Sequence, residues 1–176
     1  MLLYSPAALS DDQIYIGLDY ATGRYIGMDN TDQIDGGRAT LGYSKDRWWW
    51  HDLQLLFEGS VTYYHSDYEP LDENYKDNLW VFAAAPTVRY HVLPQRAVDL
   101  FFDISVGPAY LSTTRFESRN LGIHYTFQDM LGAGVLWGER HQYSVALRIV
   151  HYSNACIDNN NRGFTIPVIL SLGYEL

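Results

Sequence analysis

The sequence predicts an all-β chain, an eight-stranded antiparallel transmembrane β-barrel. Three observations carry that expectation. Apolar residues recur with period two, and helical spacing is nowhere sustained. The connections between alternating segments are long and polar after the odd-numbered segments and short after the even-numbered ones, as in barrels of the outer membrane. Aromatic residues make up 15% of the chain and gather at strand ends, where interfacial girdles require them.

The first strand is expected over 13–22, with Ile14, Ile16, Leu18 and Tyr20 on one face. The second covers 38–44. The third covers 53–64, with Leu53, Leu55, Phe57, Val61 and Tyr63 sharing a face. The fourth, 78–90, contains Pro86, which suits a bulge or a weakly paired position. The fifth covers 98–111, the sixth 122–137 and the seventh 142–153. The eighth, 164–176, places Ile166, Val168, Leu170, Leu172, Tyr174 and Leu176 on one face. Long connections fall at 23–37, 65–77, 112–121 and 154–163, and short ones at 45–52, 91–97 and 138–141. One aromatic band, at the short-turn end, holds Trp48, Trp49, Trp50, Tyr90, Phe101, Trp137, Tyr143 and Tyr174. The other, at the long-loop end, holds Tyr20, Tyr63, Trp80, Tyr110, Tyr125 and Tyr152. A soluble sandwich or lipocalin-type barrel would also alternate aromatics. The pairing of two bands with alternating loop lengths favours the membrane barrel.

The 176 residues suggest one domain, a barrel over 13–176. Residues 1–12 form an N-terminal segment that reads as a signal-peptide remnant, with Pro6-Ala7-Ala8 as a cleavage-like site, or as a frayed terminus. One cysteine excludes an internal disulfide and a cysteine-based metal cluster. The net charge of -9 argues against nucleic acid as a partner. No run approaches the roughly 18 apolar residues of a spanning helix, which leaves a spanning barrel open. A barrel of eight strands is too narrow for a solute channel, so side chains fill it. Arg148, Gln128, His124 and Ser144 are expected inside, as a polar plug.

The chemistry concentrates at His151-Tyr152-Ser153-Asn154-Ala155. On a strand, residues two apart project from one face. The run from Tyr143 places Val145, Leu147, Ile149, His151 and Ser153 together, so a candidate base and nucleophile stand at the end of the apolar face. In a membrane barrel that face meets lipid. Cys156 and Tyr152 read as structural, a loop thiol and a lumenal aromatic. His65, His91, His124 and His141 are scattered over different strand ends, so no metal site is expected.

The chain resembles the lipid A 3-O-deacylases of Gram-negative outer membranes, the PagL family. The resemblance rests on residues 151–155 with Asn161 and Gly163 beyond them, and on Phe127-Gln128-Asp129-Met130-Leu131-Gly132-Ala133-Gly134 upstream. It implies a serine esterase that removes the acyl chain at the 3-position of lipid A, with no cofactor and no metal. It implies Ser153 as nucleophile, His151 as general base, and Asn154, Asn161 or nearby backbone amides as the oxyanion site. The sequence departs from the family at one point. The family's triad acid is a glutamate twelve residues after the serine, where this chain has Thr165; a shift of one residue puts Ile166 there.

That departure leaves three readings: a substitute acid, a dyad with a neutral helper, or lost catalysis. The candidate acids are Asp158, in the next loop, and Asp129, which falls opposite Ile149 or His151 according to register. A bulge that turned Asp129 inward to meet Arg148 is the competing account of that residue. Asn159, Asn160 and Asn161 are neutral candidates, since asparagine orients the histidine of outer-membrane phospholipase A. Arg162, Arg115 and Arg119 lie in long loops on the same side and suit the phosphates of lipid A; ordinary solvated loop charge is the alternative for each. The expected partners are lipid A, as lipopolysaccharide, and other outer-membrane lipids, with a homodimer left open. The expected location is the bacterial outer membrane. The competing functions are another lipid esterase, phospholipase-like in chemistry, and a non-catalytic structural barrel.

Overall fold

The computed structural model describes residues 12–24, 33–45, 50–67, 69, 73–94, 96–159 and 163–176. Residues 1–11, Trp48, Trp49, Asn160, Asn161 and Arg162 lie outside the described residues, and with them the expectations placed on them.

Period-two alternation decides the architecture, because each strand must send one set of side chains out and the other in. The strands are β1 (Gln13–Gly23), β2 (Ile34–Ser44), β3 (Leu53–Ser66), β4 (Asn78–His91), β5 (Val98–Leu111), β6 (Arg115–Phe116), β7 (Arg119–Asn120), β8 (Tyr125–Trp137), β9 (Tyr143–Ser153) and β10 (Phe164–Glu175). Among the described residues, eight of them close into one barrel in the order β1-β10-β9-β8-β5-β4-β3-β2, and β6 and β7 form a separate two-stranded sheet. Closure is made by β1 and β10, antiparallel, from Tyr15↔Glu175 to Thr22↔Val168. Among the described residues the barrel sheet itself has no free edge. Ile14, Ile16, Leu18 and Tyr20 point outward, as do Leu100, Phe102, Ile104 and Val106 of β5. A soluble protein would bury such a surface; hydrocarbon solvates it.

Two strand starts differ from the sequence reading by more than one residue. β2 begins at Ile34 rather than 38, because Gly36 and Gly37 pair with Tyr64 and Tyr63 instead of turning. A Cβ at Gly36 would strike the Tyr63 carbonyl and the Tyr64 ring. Gly36 thus permits a close approach rather than a bend. β8 begins at Tyr125 rather than 122. His124 therefore leaves the plug: it stacks on the exposed Tyr110, 5.4 Å between centroids, with Nδ1 2.6 Å from the Leu111 carbonyl. Phe101 also moves, from the expected girdle to the lumen, where it packs under the Arg89 guanidinium at 4.3 Å.

The lumen changes character along its length. Down β9 from the long-loop end, Tyr152 and Val150 belong to an apolar cluster with Tyr64, Leu111 and Phe164. The next inward residue is Arg148. Its guanidinium bonds Asp103 at 2.9 Å, and Asp103 also faces Arg89 at 3.6 Å. Asp19 joins through Arg38 at 3.6 Å and Arg148 at 3.9 Å. Below Arg148 come Ala146, in contact with Phe101 and Leu136, and then Ser144. The expected polar plug is thus present at Arg148, Gln128 and Ser144, but hydrophobic residues close its outer end. The β6–β7 hairpin contributes to that closure. It drives Phe116 into the mouth of the barrel, 5.8 Å from Phe164 between ring centroids.

Candidate active site

Inward anchors present the site outward. On β9, Ser144, Ala146, Arg148, Val150 and Tyr152 are buried in the lumen, so His151 and Ser153 emerge on the outer surface, each half-buried by its neighbours. Both stand at the long-loop end of the strand, as their spacing predicts. On one flank β8 sets Asp129 opposite His151 and Phe127 opposite Ser153. Gln128 and Met130 point inward, so Asp129 stays on the outer face with His151. Of the two readings of Asp129, the structure has the cross-strand one; Arg148 takes Asp103 and Asp19 as its carboxylates.

On the other flank β10 sets Thr165 opposite His151. The Thr165 Oγ1 lies 2.8 Å from His151 Nδ1. This contact depends on a bulge. The register slips between Ile166↔Val150 and Ile169↔Arg148, so Pro167 and Val168 together oppose a single residue of β9. One extra residue inverts the alternation. Leu170, Leu172 and Tyr174 face outward with even numbers; beyond the bulge Thr165 faces outward while Phe164 and Ile166 are fully buried. The sequence reading placed Ile166 on the face of Leu170, and the bulge corrects it. Pro167 was its signal: a proline inside a strand pattern has no N–H for the ladder. Gly23 of β1 makes room, since a Cβ there would meet the Pro167 ring.

Phe164 holds this stretch from within, stacked on Tyr152 at 4.8 Å. Gly163 precedes it, tight against the pair. A Cβ on Gly163 would come within 2.5 Å of the Tyr152 carbonyl, 3.1 Å of Ser153 Cβ and 3.2 Å of His151 Cε1. The serine and the imidazole therefore border one small volume, and only glycine leaves it open.

Past Ser153 the chain turns sharply. Ala155 and Cys156 have φ of 51° and 64°, and the Ile157 N–H donates to the Asn154 carbonyl at 3.0 Å. Left-handed backbone at two successive non-glycine residues is uncommon, and such strain concentrates at functional sites. The Asn154 side chain turns inward, fully buried, and donates to the Leu121 carbonyl at 3.4 Å. Asp158 is half-buried, with its carboxylate against Gly122, whose φ of +80° and missing Cβ admit it. The residue on the imidazole is thus Thr165, while Asp158 serves the loop beside it. Arg119 is buried and paired with Glu117 at 3.3 Å, and Arg115 lies 5.6 Å over the Tyr75 ring. Arg119 is therefore withdrawn from any lipid phosphate.

An outward hydroxyl and imidazole, one nitrogen already bound, suit ester hydrolysis at a lipid surface. The family model for lipid A 3-O-deacylase (PagL) matches residues 37–175 of this chain. The chain belongs to the lipid A 3-O-deacylase (PagL) family. It is accordingly an ester hydrolase with lipid A as its substrate. Two relatives are lipid A deacylases. The one from Pseudomonas aeruginosa is 29% identical over 72% of this chain and 70% of its own length. The one from Bordetella bronchiseptica is 26% identical over 78% and 75% respectively. The crystal structure of the outer membrane enzyme PagL superposes with a TM-score of 0.68 at 24% identity, covering 93% of this chain and 98% of that one. The Neisserial surface protein A barrel superposes at 0.56 with 13% identity, covering 94% and 96%. That second likeness is one of fold alone, so the deacylase reading rests on the family match and on the site.

Proposed function

We propose that this PagL-family chain cleaves the 3-O-linked acyl ester of lipid A as a serine esterase, with Ser153 as nucleophile and His151 as general base. The observation that supports it most is the outward placement of both side chains at the long-loop end of β9. With the long loops at the cell exterior, that is the depth of the acyl esters in the outer leaflet. With Nδ1 donating its proton to Thr165, Nε2 is the basic nitrogen and accepts the Ser153 proton as Oγ attacks the carbonyl. The imidazolium then returns that proton to the sugar oxygen as it leaves. Water enters from the interface and hydrolyses the acyl-enzyme by the same exchange. Backbone N–H groups of the turn after Ser153, together with Asn161, stabilise the oxyanion, and one such donor is worth about 2.7–4 kcal/mol. Asn154 supports them by fixing the turn to Leu121. Arg162, by its charge and its place in the sequence after the motif, suits the lipid A phosphates.

The test is mass spectrometry of lipid A from cells that produce the protein. The wild type removes one 3-O-linked acyl chain, and Ser153→Ala and His151→Ala leave lipid A intact while the barrel still folds. Unchanged deacylation in Ser153→Ala would remove the nucleophile from this reading. A change in phospholipids with lipid A unaltered would assign the site to a different lipid ester.

A further inference from the structure

A carboxylate beside a catalytic histidine does two things at once: it orients the ring and it compensates the imidazolium charge. We infer that these tasks are divided here, with Thr165 orienting His151 and Asp129 supplying the negative charge. The inference rests on the reading of Ser153 and His151 as nucleophile and base.

The orienting half follows from the hydrogen bond. Thr165 Oγ1 lies 2.8 Å from Nδ1, and by accepting the Nδ1–H hydrogen bond it holds the ring with Nε2 basic. A hydroxyl accepts that bond as a carboxylate does, but it carries no charge to set against the imidazolium. Asp129 stands where such a charge is needed. It is the direct cross-strand neighbour of His151 on the flank away from Thr165. Direct neighbours place Cβ atoms about 4.5–5.5 Å apart, within range for two charges. No hydrogen bond or ion pair engages Asp129 among the described residues. An ionised group on the lipid-facing side of a barrel is costly unless something answers it. The imidazolium formed in each turnover answers it. The Nδ1–H stays hydrogen-bonded to Thr165, and the one proton in transit moves from Ser153 to Nε2 and on to the leaving oxygen.

The division makes a prediction that a purely structural role for either residue does not. Purified full-length protein, refolded into mixed micelles with lipid A, is assayed for kcat and KM. Thr165→Val lowers kcat by about 10- to 100-fold with KM little changed, the worth of one hydrogen bond to a charged group. Thr165→Ser recovers most of that loss. Asp129→Asn lowers kcat by roughly tenfold in the wild-type background. In a Thr165→Glu background, where one group performs both tasks, the same Asp129→Asn change costs several-fold less. An equal Asp129→Asn loss in both backgrounds overturns the inference, and so does a Thr165→Val variant that turns over at the wild-type rate. Activity retained in Ser153→Ala would instead overturn the nucleophile assignment on which the inference stands.

Discussion

Gly163 sets the tolerance of the site at the scale of single residues. A methyl group there meets a backbone carbonyl on one side and Ser153 and His151 on the other, and a carbonyl cannot swing aside as a flexible side chain can. Gly163→Ala is therefore expected to abolish deacylation while leaving barrel assembly intact, checked by lipid A profiles beside heat-modifiable migration on gels. Normal activity in that variant would mean that the backbone at 163 is free to withdraw. At this scale the sequence was partly legible. The i, i+2 spacing put His151 and Ser153 on one face, and the structure keeps them there. The partner of His151 was not legible, because Thr165 and Ile166 compete for that place and their choice depends on the phase of the neighbouring strand.

At the scale of elements, β10 decides that phase. Pro167 and Val168 insert one residue against β9, which allows an apolar even-numbered face near the short turns and an outward Thr165 near the site. Deleting Val168 removes the extra residue: Pro167 alone then opposes Ile149, while Ile166 stays opposite Val150 and Thr165 stays opposite His151. Thr165 keeps its outward place, so lipid A profiles are expected to show deacylation retained in this variant. Loss of activity in a folded barrel would show that the bulge itself, and not only the phase it sets, shapes the site. Phe164 fixes the same stretch from inside through Tyr152 and Phe116. Phe164→Ala should lower the unfolding free energy by about 3–5 kcal/mol, read from urea titration in micelles. Periodicity found the eight barrel strands and their loop asymmetry. It missed the bulge because period-two counting assumes an unbroken phase, and it missed the β6–β7 hairpin because two-residue strands are too short to show a period.

At the scale of the whole molecule, the barrel makes a rigid wall out of a buried charge network. Asp103 sits between Arg148 and Arg89, and Asp19 between Arg38 and Arg148. Asp103→Ala leaves two guanidinium groups facing each other without their shared carboxylate. Breaking such a buried arrangement costs about 3–5 kcal/mol, so the urea midpoint should fall markedly. The network lies on the opposite side of the wall from His151 and Ser153, so the folded fraction should retain its specific activity. The polar residues of the lumen were legible from alternation; the hydrophobic closure of its outer end was not, since Phe116 and Leu121 reach it from a connection rather than from a strand. The central claim is that a serine on the lipid-facing side of this wall is the nucleophile, activated by the histidine beside it. The most direct measurement is peptide mass spectrometry of the protein in lipid bilayers after exposure to an acyl-chain phosphonate that traps nucleophilic serines. The account predicts a single adduct on Ser153 in the wild type and none in His151→Ala. An adduct on any other residue, or undiminished labelling without His151, would contradict it.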